Sequence, residues 1–136
     1  MLENKTEIRV RYADTDQMQF VYNGKYLEYF EVGRTEMLRS IGFPYKILED
    51  MNYQLPLLES FVKYISPARY DDLLIIEAFV NEMPSFKIHI NYKITIKGKN
   101  ILAAEGYTLH VFIKKDSKKA VRLPEIFIEK LNPFYK

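Results

Sequence analysis

A chain of 136 residues with 20 Lys and Arg against 18 Asp and Glu has a net charge of +2, with both signs interspersed, which argues against nucleic-acid binding. It is long enough to bury a core as one domain over residues 1–136 and too short for two; having no cysteine, it lacks disulfides, thiolate metal sites and a cysteine nucleophile. The opening MLENKTEIRV is charged throughout, and no stretch approaches the roughly 18 uninterrupted apolar residues of a membrane span, so a cytoplasmic protein is expected, neither secreted nor membrane-spanning.

Taken in order, Thr6 to Tyr12 alternates, with Thr6, Ile8, Val10 and Tyr12 on one face, and predicts a first strand. Ala13 to Val21 reads as a loop. Asn23 is placed to cap a helix from Lys25 to Ile41, whose apolar residues Leu27, Phe30, Met37, Leu38 and Ile41 fall on helical spacing and which Gly42 ends. Gly33, in mid-helix, costs roughly 1 kcal/mol against alanine and points to a close approach by a strand or a partner helix. Pro44 suits the start of a short helix to Met51. Gln54 to Ser66 is extended, with Pro56 restricting its start to an edge or bulge. Leu73 to Met83 is apolar on both faces at first, as a strand covered on both sides would be. Phe86 to Lys97 alternates almost without fault, and Gly98-Lys99-Asn100 turns the chain into a last long strand, Ile101 to Lys115. A turn at Asp116 to Lys119, a short strand Ala120 to Arg122 and a helix Glu125 to Leu131 close the chain. The order predicts an α+β fold with one long helix packed on a strongly curled antiparallel sheet. The 11 Tyr and 9 Phe fit such a sheet, and equally an acyl pocket or an oligomer interface.

Asp14 and Asp16 stand two apart between the first strand and the long helix. A carboxylate there can act as base or nucleophile, while the free amides of a helix's first turn point partial positive charge outward. The run YADTDQMQFVYNGKYLEYFEVGRTE resembles the signature of hotdog-fold acyl-CoA thioesterases of the 4-hydroxybenzoyl-CoA thioesterase family, matched here by Tyr12, Asp14, Asp16, Val21, Tyr22, Asn23, Tyr26, Phe30, Glu31, Arg34 and Glu36. Weaker similarity continues through Ser66-Pro67-Ala68-Arg69-Tyr70-Asp71-Asp72. The resemblance implies a hotdog fold, a long central helix wrapped by a curled antiparallel sheet of five to six strands. It also implies hydrolysis of an acyl-CoA thioester without metal or cofactor. Asp16 would be nucleophile or general base, and the backbone N–H of Asn23 would polarise the thioester carbonyl. Val21, Tyr22, Tyr26 and Phe30 would form the substrate site, with Asp14 holding the loop. A homodimer or homotetramer with each site at a subunit interface is implied as well. Many relatives have a glycine before the Val-Tyr step. Gln17-Met18-Gln19-Phe20 stands there instead, which predicts a different loop path or a different space for the acyl group, because φ > 0 is costly without glycine.

Coenzyme A carries phosphates, and Lys63, Arg69 and Lys87 are candidates to grip it from a rim. The run Lys114 to Lys119 reads more simply as a solvated turn. An acyl-carrier-protein thioester is an alternative substrate, and a non-catalytic acyl-CoA-binding module, with Asp16 only a cap, is the rival from another class. No G-x-S-x-G serine, nucleotide loop or metal-ligand spacing is present. His89 and His110 read as strand residues at a face or rim, and Glu31, Arg34 and Glu36 as helix-surface or interface ion pairs.

Overall fold

The computed structural model describes residues 1–135. Strands β1 (Leu2–Arg9), β3 (Leu57–Tyr64), β4 (Leu73–Val80), β5 (Lys87–Ile96) and β6 (Ile101–Val111) form one antiparallel sheet in the order β1-β4-β5-β6-β3, and β2 (Tyr53–Gln54) pairs with β7 (Ile113–Lys114) in a separate ribbon. Helix α1 (Lys25–Ser40), about 24 Å long, lies on one face of the sheet, and the short helices α2 (Tyr45–Asp50) and α3 (Glu125–Leu131) close the end near its C-terminus. This is the α+β architecture expected, with five strands in the main sheet. Among the described residues no helix is long and apolar enough to cross a membrane.

The alternation of β5 is reproduced residue by residue: Ile88, Ile90, Tyr92, Ile94 and Ile96 are buried under α1, and their neighbours face outward. Tyr26, Phe30, Gly33 and Met37 make the buried stripe of α1, with the Phe30 ring stacked on Tyr92 at 4.2 Å. Two glycines permit this closeness. A Cβ on Gly33 would stand 2.8 Å from Ile76 Cγ2, so the close approach read from the sequence is a helix-to-strand contact. A Cβ on Gly106 would stand 1.9 Å from the Phe61 carbonyl oxygen.

Several boundaries differ from expectation. The first strand begins at Leu2 rather than Thr6 because its full length pairs with β4, Leu2 opposite Val80. It stops at Arg9, and Tyr12 enters a single 3-10 turn, Tyr12–Asp14, where the residue is 78% exposed instead of on the inner face. Pro56 separates β2 from β3. The last long strand ends at Val111, and the expected strand at Ala120 is reduced to one bridge with Ile113. The outer face of β4, where Ile75 and Phe79 are only half-buried, has no cover in the protomer, contrary to the doubly covered strand its sequence predicted.

His110 is also placed differently: it is buried on the helix side of β6, not at a face or rim. Its Nδ1 lies 3.1 Å from the Leu55 carbonyl and its Nε2 3.0 Å from Thr108 Oγ1, which is 2.6 Å from the Tyr92 hydroxyl. A carbonyl only accepts, so Nδ1 carries the proton; Nε2 then accepts from Thr108, and Thr108 accepts from Tyr92. This one-way chain is satisfied only while the imidazole is neutral. Burial, and then the nearby charge of Arg34, push the His110 pKa down to about 4, against the Leu55 contact.

Two predictions follow from this packing. Gly106→Ala forces β3 away from β6 and should cost more than about 3 kcal/mol, whereas Gly33→Ala, partly offset by better helix propensity, should cost about 0–2 kcal/mol; urea midpoints giving the reverse order would contradict the packing described. Because the His110 pKa is lower folded than unfolded, its contribution is present above pH 6.5 and is lost as pH falls from 6.5 toward about 4. Stability of His110→Gln measured across that range should show a correspondingly shallower slope than that of the parent protein.

Candidate active site

The loop between β1 and α1 is fixed by two carboxylates used in opposite ways. Asp14 is 2% exposed and fully engaged: Oδ2 accepts from the Arg11 amide at 3.1 Å and the Tyr29 hydroxyl at 3.0 Å, and Oδ1 faces Lys25 Nζ at 3.1 Å and Arg11 Nη2 at 3.2 Å. Burial alone would lift its carboxyl, but these hydrogen bonds outweigh burial and hold it below the ordinary carboxylate value. The same contact lifts the Lys25 ammonium, while burial and then Asp14 push the Tyr29 hydroxyl up. The Asp14 carbonyl also accepts the Tyr22 amide at 2.9 Å. Strand end, loop and helix start are thus tied at one point.

Asp16 is half-buried and closes its own small loop. Its Oδ1 accepts from the amides of Met18 (2.9 Å) and Phe20 (3.2 Å), its amide donates to the Phe20 carbonyl, and its carbonyl accepts from Gln19. Gln19 takes φ = 67°, so the left-handed residue that the missing glycine would have supplied is present with a side chain. The two amide hydrogen bonds that Asp16 Oδ1 accepts, from Met18 and Phe20, span Gln19 and hold that conformation. Oδ2 of Asp16 has no hydrogen-bond partner among the described residues.

At the helix start, the carbonyls of Tyr22 and Asn23 accept the amides of Lys25 and Tyr26, so the opening turn is closed by backbone. The helix cap is Gly24, and the Asn23 side chain makes no capping hydrogen bond, contrary to expectation. The Asn23 carbonyl also accepts from the Tyr64 hydroxyl at 3.1 Å, while the Asn23 N–H has no partner among the described residues. Asp16 and Asn23 line one cavity of about 360 Å³, together with Val21, Tyr26, Phe20 and Tyr64. A carboxylate oxygen and an unsatisfied amide that share a cavity can address one carbonyl group between them.

The structure brings together Asp16, Asn23, Val21 and Tyr26 from the expected set. Tyr22 is 61% exposed and outside the cavity wall, and Phe30, with none of its surface exposed, belongs to the core and not to an entrance. Among the cationic candidates, Arg69 is not part of the cavity wall, but its guanidinium lies 4.6 Å from the centroid of the Phe20 ring, which is. Lys63 is exposed next to Tyr64. Lys87 is remote: Ile94, the β5 residue level with Tyr64 through Ala104, is roughly 23 Å of strand away from it. Glu36 pairs with Arg39 on the helix surface, whereas Arg34 turns toward Tyr92 and His110. Tyr64, Ile65, Ser66 and Pro67 complete the cavity and were not singled out as lining residues from the sequence. Their only signal is the strand-ending Ser66-Pro67-Ala68 step, distant in sequence from Asp16.

The profile of the thioesterase-like superfamily matches residues 10–131. An acyl-CoA thioester hydrolase of Escherichia coli is 31% identical over 121 residues, covering 89% of this chain and 90% of its own length. Among solved structures, a DHNA-CoA thioesterase from Staphylococcus aureus superposes with a TM-score of 0.90 at 30% identity, covering 98% of this chain and 89% of that one. A 4-hydroxybenzoyl-CoA thioesterase shares the fold at a TM-score of 0.85 with 17% identity, over 96% of this chain and 99% of that one.

Removing the Asp14 carboxylate leaves the Arg11 amide and the buried Tyr29 hydroxyl without their acceptor, and Lys25 with Glu28 alone. Asp14→Ala should therefore cost roughly 2–3 kcal/mol in urea unfolding; a loss below about 1 kcal/mol would show that Asp14 does not anchor the loop.

Proposed function

The chain belongs to the thioesterase-like superfamily and hydrolyses acyl-CoA thioesters, and from that premise we propose that the Asp16 carboxylate and the Asn23 amide carry out the reaction in the cavity they share. The observation that carries this reading is the state of Asp16: one oxygen is pinned by two amides, and the other is uncommitted beside an equally uncommitted N–H. The thioester oxygen accepts from the Asn23 N–H, which stabilises negative charge as the carbonyl carbon becomes tetrahedral. Oδ2 of Asp16 either removes a proton from an attacking water or attacks the carbon itself. In the second case an acyl-carboxylate anhydride forms, the CoA thiolate leaves and is protonated, and water then cleaves the anhydride. Both routes consume one water and yield a free acid and a thiol. Val21, Phe20 and Tyr26 supply the apolar wall for the acyl group.

A second copy completes the site in this reading. Strand β3 is a sheet edge with free backbone groups, and Leu57, Leu58, Phe61 and Tyr64 on it are all about half exposed. Antiparallel pairing of β3 with its copy over the full strand sets the Leu57 end of one protomer beside the Tyr64 end of the other. That carries Lys87 of the second copy toward the cavity from which it is remote in its own protomer. Lys63 and Arg69 would then meet the phosphates of coenzyme A from one side and Lys87 of the second copy from the other. The cysteine-free composition accords with a reducing cytoplasm.

Hydrolysis of acyl-CoAs of graded chain length, followed with a thiol-reactive dye, tests these roles. Asp16→Ala and Asp16→Asn should each lower kcat by about 10²–10⁴ while acyl-CoA binding persists, and Asn23→Ala, which keeps the backbone donor, should stay within a few-fold of the parent. Unchanged turnover in Asp16→Ala would remove the assignment.

A further inference from the structure

Midway along α1 a second cavity opens that shares no lining residue with the one at Asp16. It measures about 340 Å³ and is lined by Glu31, Arg34 and Thr35 of α1, Tyr45 of α2, and Leu55. Roughly 16 Å of helix separates Asn23 from Arg34, so the two cavities open at different levels of α1. Arg34 is half-buried there and, contrary to the ion pair expected of it, meets no carboxylate within salt-bridge distance among the described residues. Glu31 stands three residues back, at the spacing that pairs Glu36 with Arg39 further along, yet it is exposed and not joined to Arg34. Inward, the guanidinium faces Tyr92 and His110. Those two belong to the chain that runs from Tyr92 through Thr108 and His110 to the Leu55 carbonyl, in which every member is neutral. Nothing behind Arg34 therefore balances its charge, and a cation partly withdrawn from water without a counter-charge favours an anion on its open side.

The rest of the wall suits the same kind of ligand. The Tyr45 hydroxyl accepts from the Leu55 amide at 3.1 Å, and its own proton has no acceptor among the described residues. A tyrosine hydroxyl carries one proton beside its acceptor positions, so that proton is available to a ligand. Thr35 adds a second hydroxyl, and Leu55 with the Tyr45 ring supplies an apolar wall. A guanidinium fork meets a planar carboxylate with two parallel hydrogen bonds, and the apolar wall accommodates the body of an organic acid. Glu31 limits the charge: one negative charge is balanced by Arg34, whereas a dianionic phosphate is repelled by the second carboxylate on the wall.

We propose that this cavity binds a small monoanionic carboxylate through Arg34, with Tyr45 and Thr35 donating to it. The site is separate from the roles of Asp16 and Asn23. Thioester hydrolysis releases an acid of this class, so the ligands that fit include the reaction's own product.

Benzoate serves as the probe, titrated into the full-length protein at pH 7 and followed through the Arg34 side-chain and His110 ring signals by NMR, with calorimetry for the affinity. Both signals should shift together and saturate, because the Arg34 charge is felt at His110, while the ring of His89 on the outward face of β5 stays unmoved. Arg34→Gln should weaken binding by about 10- to 100-fold, and Arg34→Lys, which keeps the charge without the fork, by less. Circular dichroism and acyl-CoA hydrolysis check that the variants are folded. Tyr45→Phe removes a donor without touching the charge and should weaken binding a few-fold, which keeps the test decisive if Arg34→Gln does not fold. Inorganic phosphate should bind more weakly than benzoate. No saturable shift with benzoate, undiminished binding by Arg34→Gln and Tyr45→Phe, or tighter binding of phosphate would overturn the proposal. So would benzoate binding that appears only in Glu31→Gln, since a carboxylate of the protein itself would then already occupy the site.

Discussion

The Asp14 carboxylate, almost wholly removed from solvent, accepts from the Arg11 amide and guanidinium, from Lys25 and from Tyr29, and so fastens the end of β1, the following loop and α1 to one another. Four donors on one carboxylate more than offset its desolvation, which is why its acidity is strengthened despite burial. Everything at the cavity inherits its position from this point. The Tyr22 amide bonded to the Asp14 carbonyl sets where the helix begins, and hence where the Asn23 amide lies.

Two aspartates of identical chemistry, two residues apart, therefore have different fates. Asp14 has its hydrogen-bonding capacity filled and is structural in every contact. Asp16 spends one oxygen on the amides of Met18 and Phe20, which orients the carboxylate, and keeps the other uncommitted. Backbone strain accompanies that arrangement: Gln19 sits in the left-handed region, which costs a residue with a side chain of order 1 kcal/mol or more. The loop tolerates this because Asp16 binds it from both the amide and the carboxylate side.

Much of the architecture was legible in periodicity alone. The alternation of β5, the extent of α1 and the turn at Gly98 follow from local patterning, and Gly33 marked a close approach by a strand or a partner helix, which the fold resolves as the strand β4. Places where tertiary pairing overrides local signal were not legible. Leu2 to Lys5 lie outside the alternating run that predicted the first strand, yet form half of an edge strand, because β4 offers a partner along its whole length. His110 alternates like any strand residue, and only the fold reveals that its two ring nitrogens are matched by Leu55 and Thr108. At the cavity, the run from Tyr12 to Glu36 pointed to Asp16 and to the backbone of Asn23, and both residues line it, while the side-chain cap expected of Asn23 is absent. Phe30 fell on the same helical stripe as Tyr26 and could not be separated from it by spacing: one turn further along, that stripe passes beneath the sheet. The walls given by Tyr64 to Pro67 come from long-range packing, which no local pattern encodes.

On the helix side of the sheet, apolar packing and a neutral polar chain hold α1 so that its first turn opens on a carboxylate. A structure of the protein with a CoA ketone analogue, in which a methylene separates sulfur from an intact carbonyl, tests the central claim most directly. The carbonyl oxygen should lie about 3 Å from the Asn23 nitrogen, with Asp16 Oδ2 facing the carbonyl carbon at about 3–3.5 Å. A carbonyl bound away from Asn23, with the Asp16 carboxylate turned from it, would contradict the account.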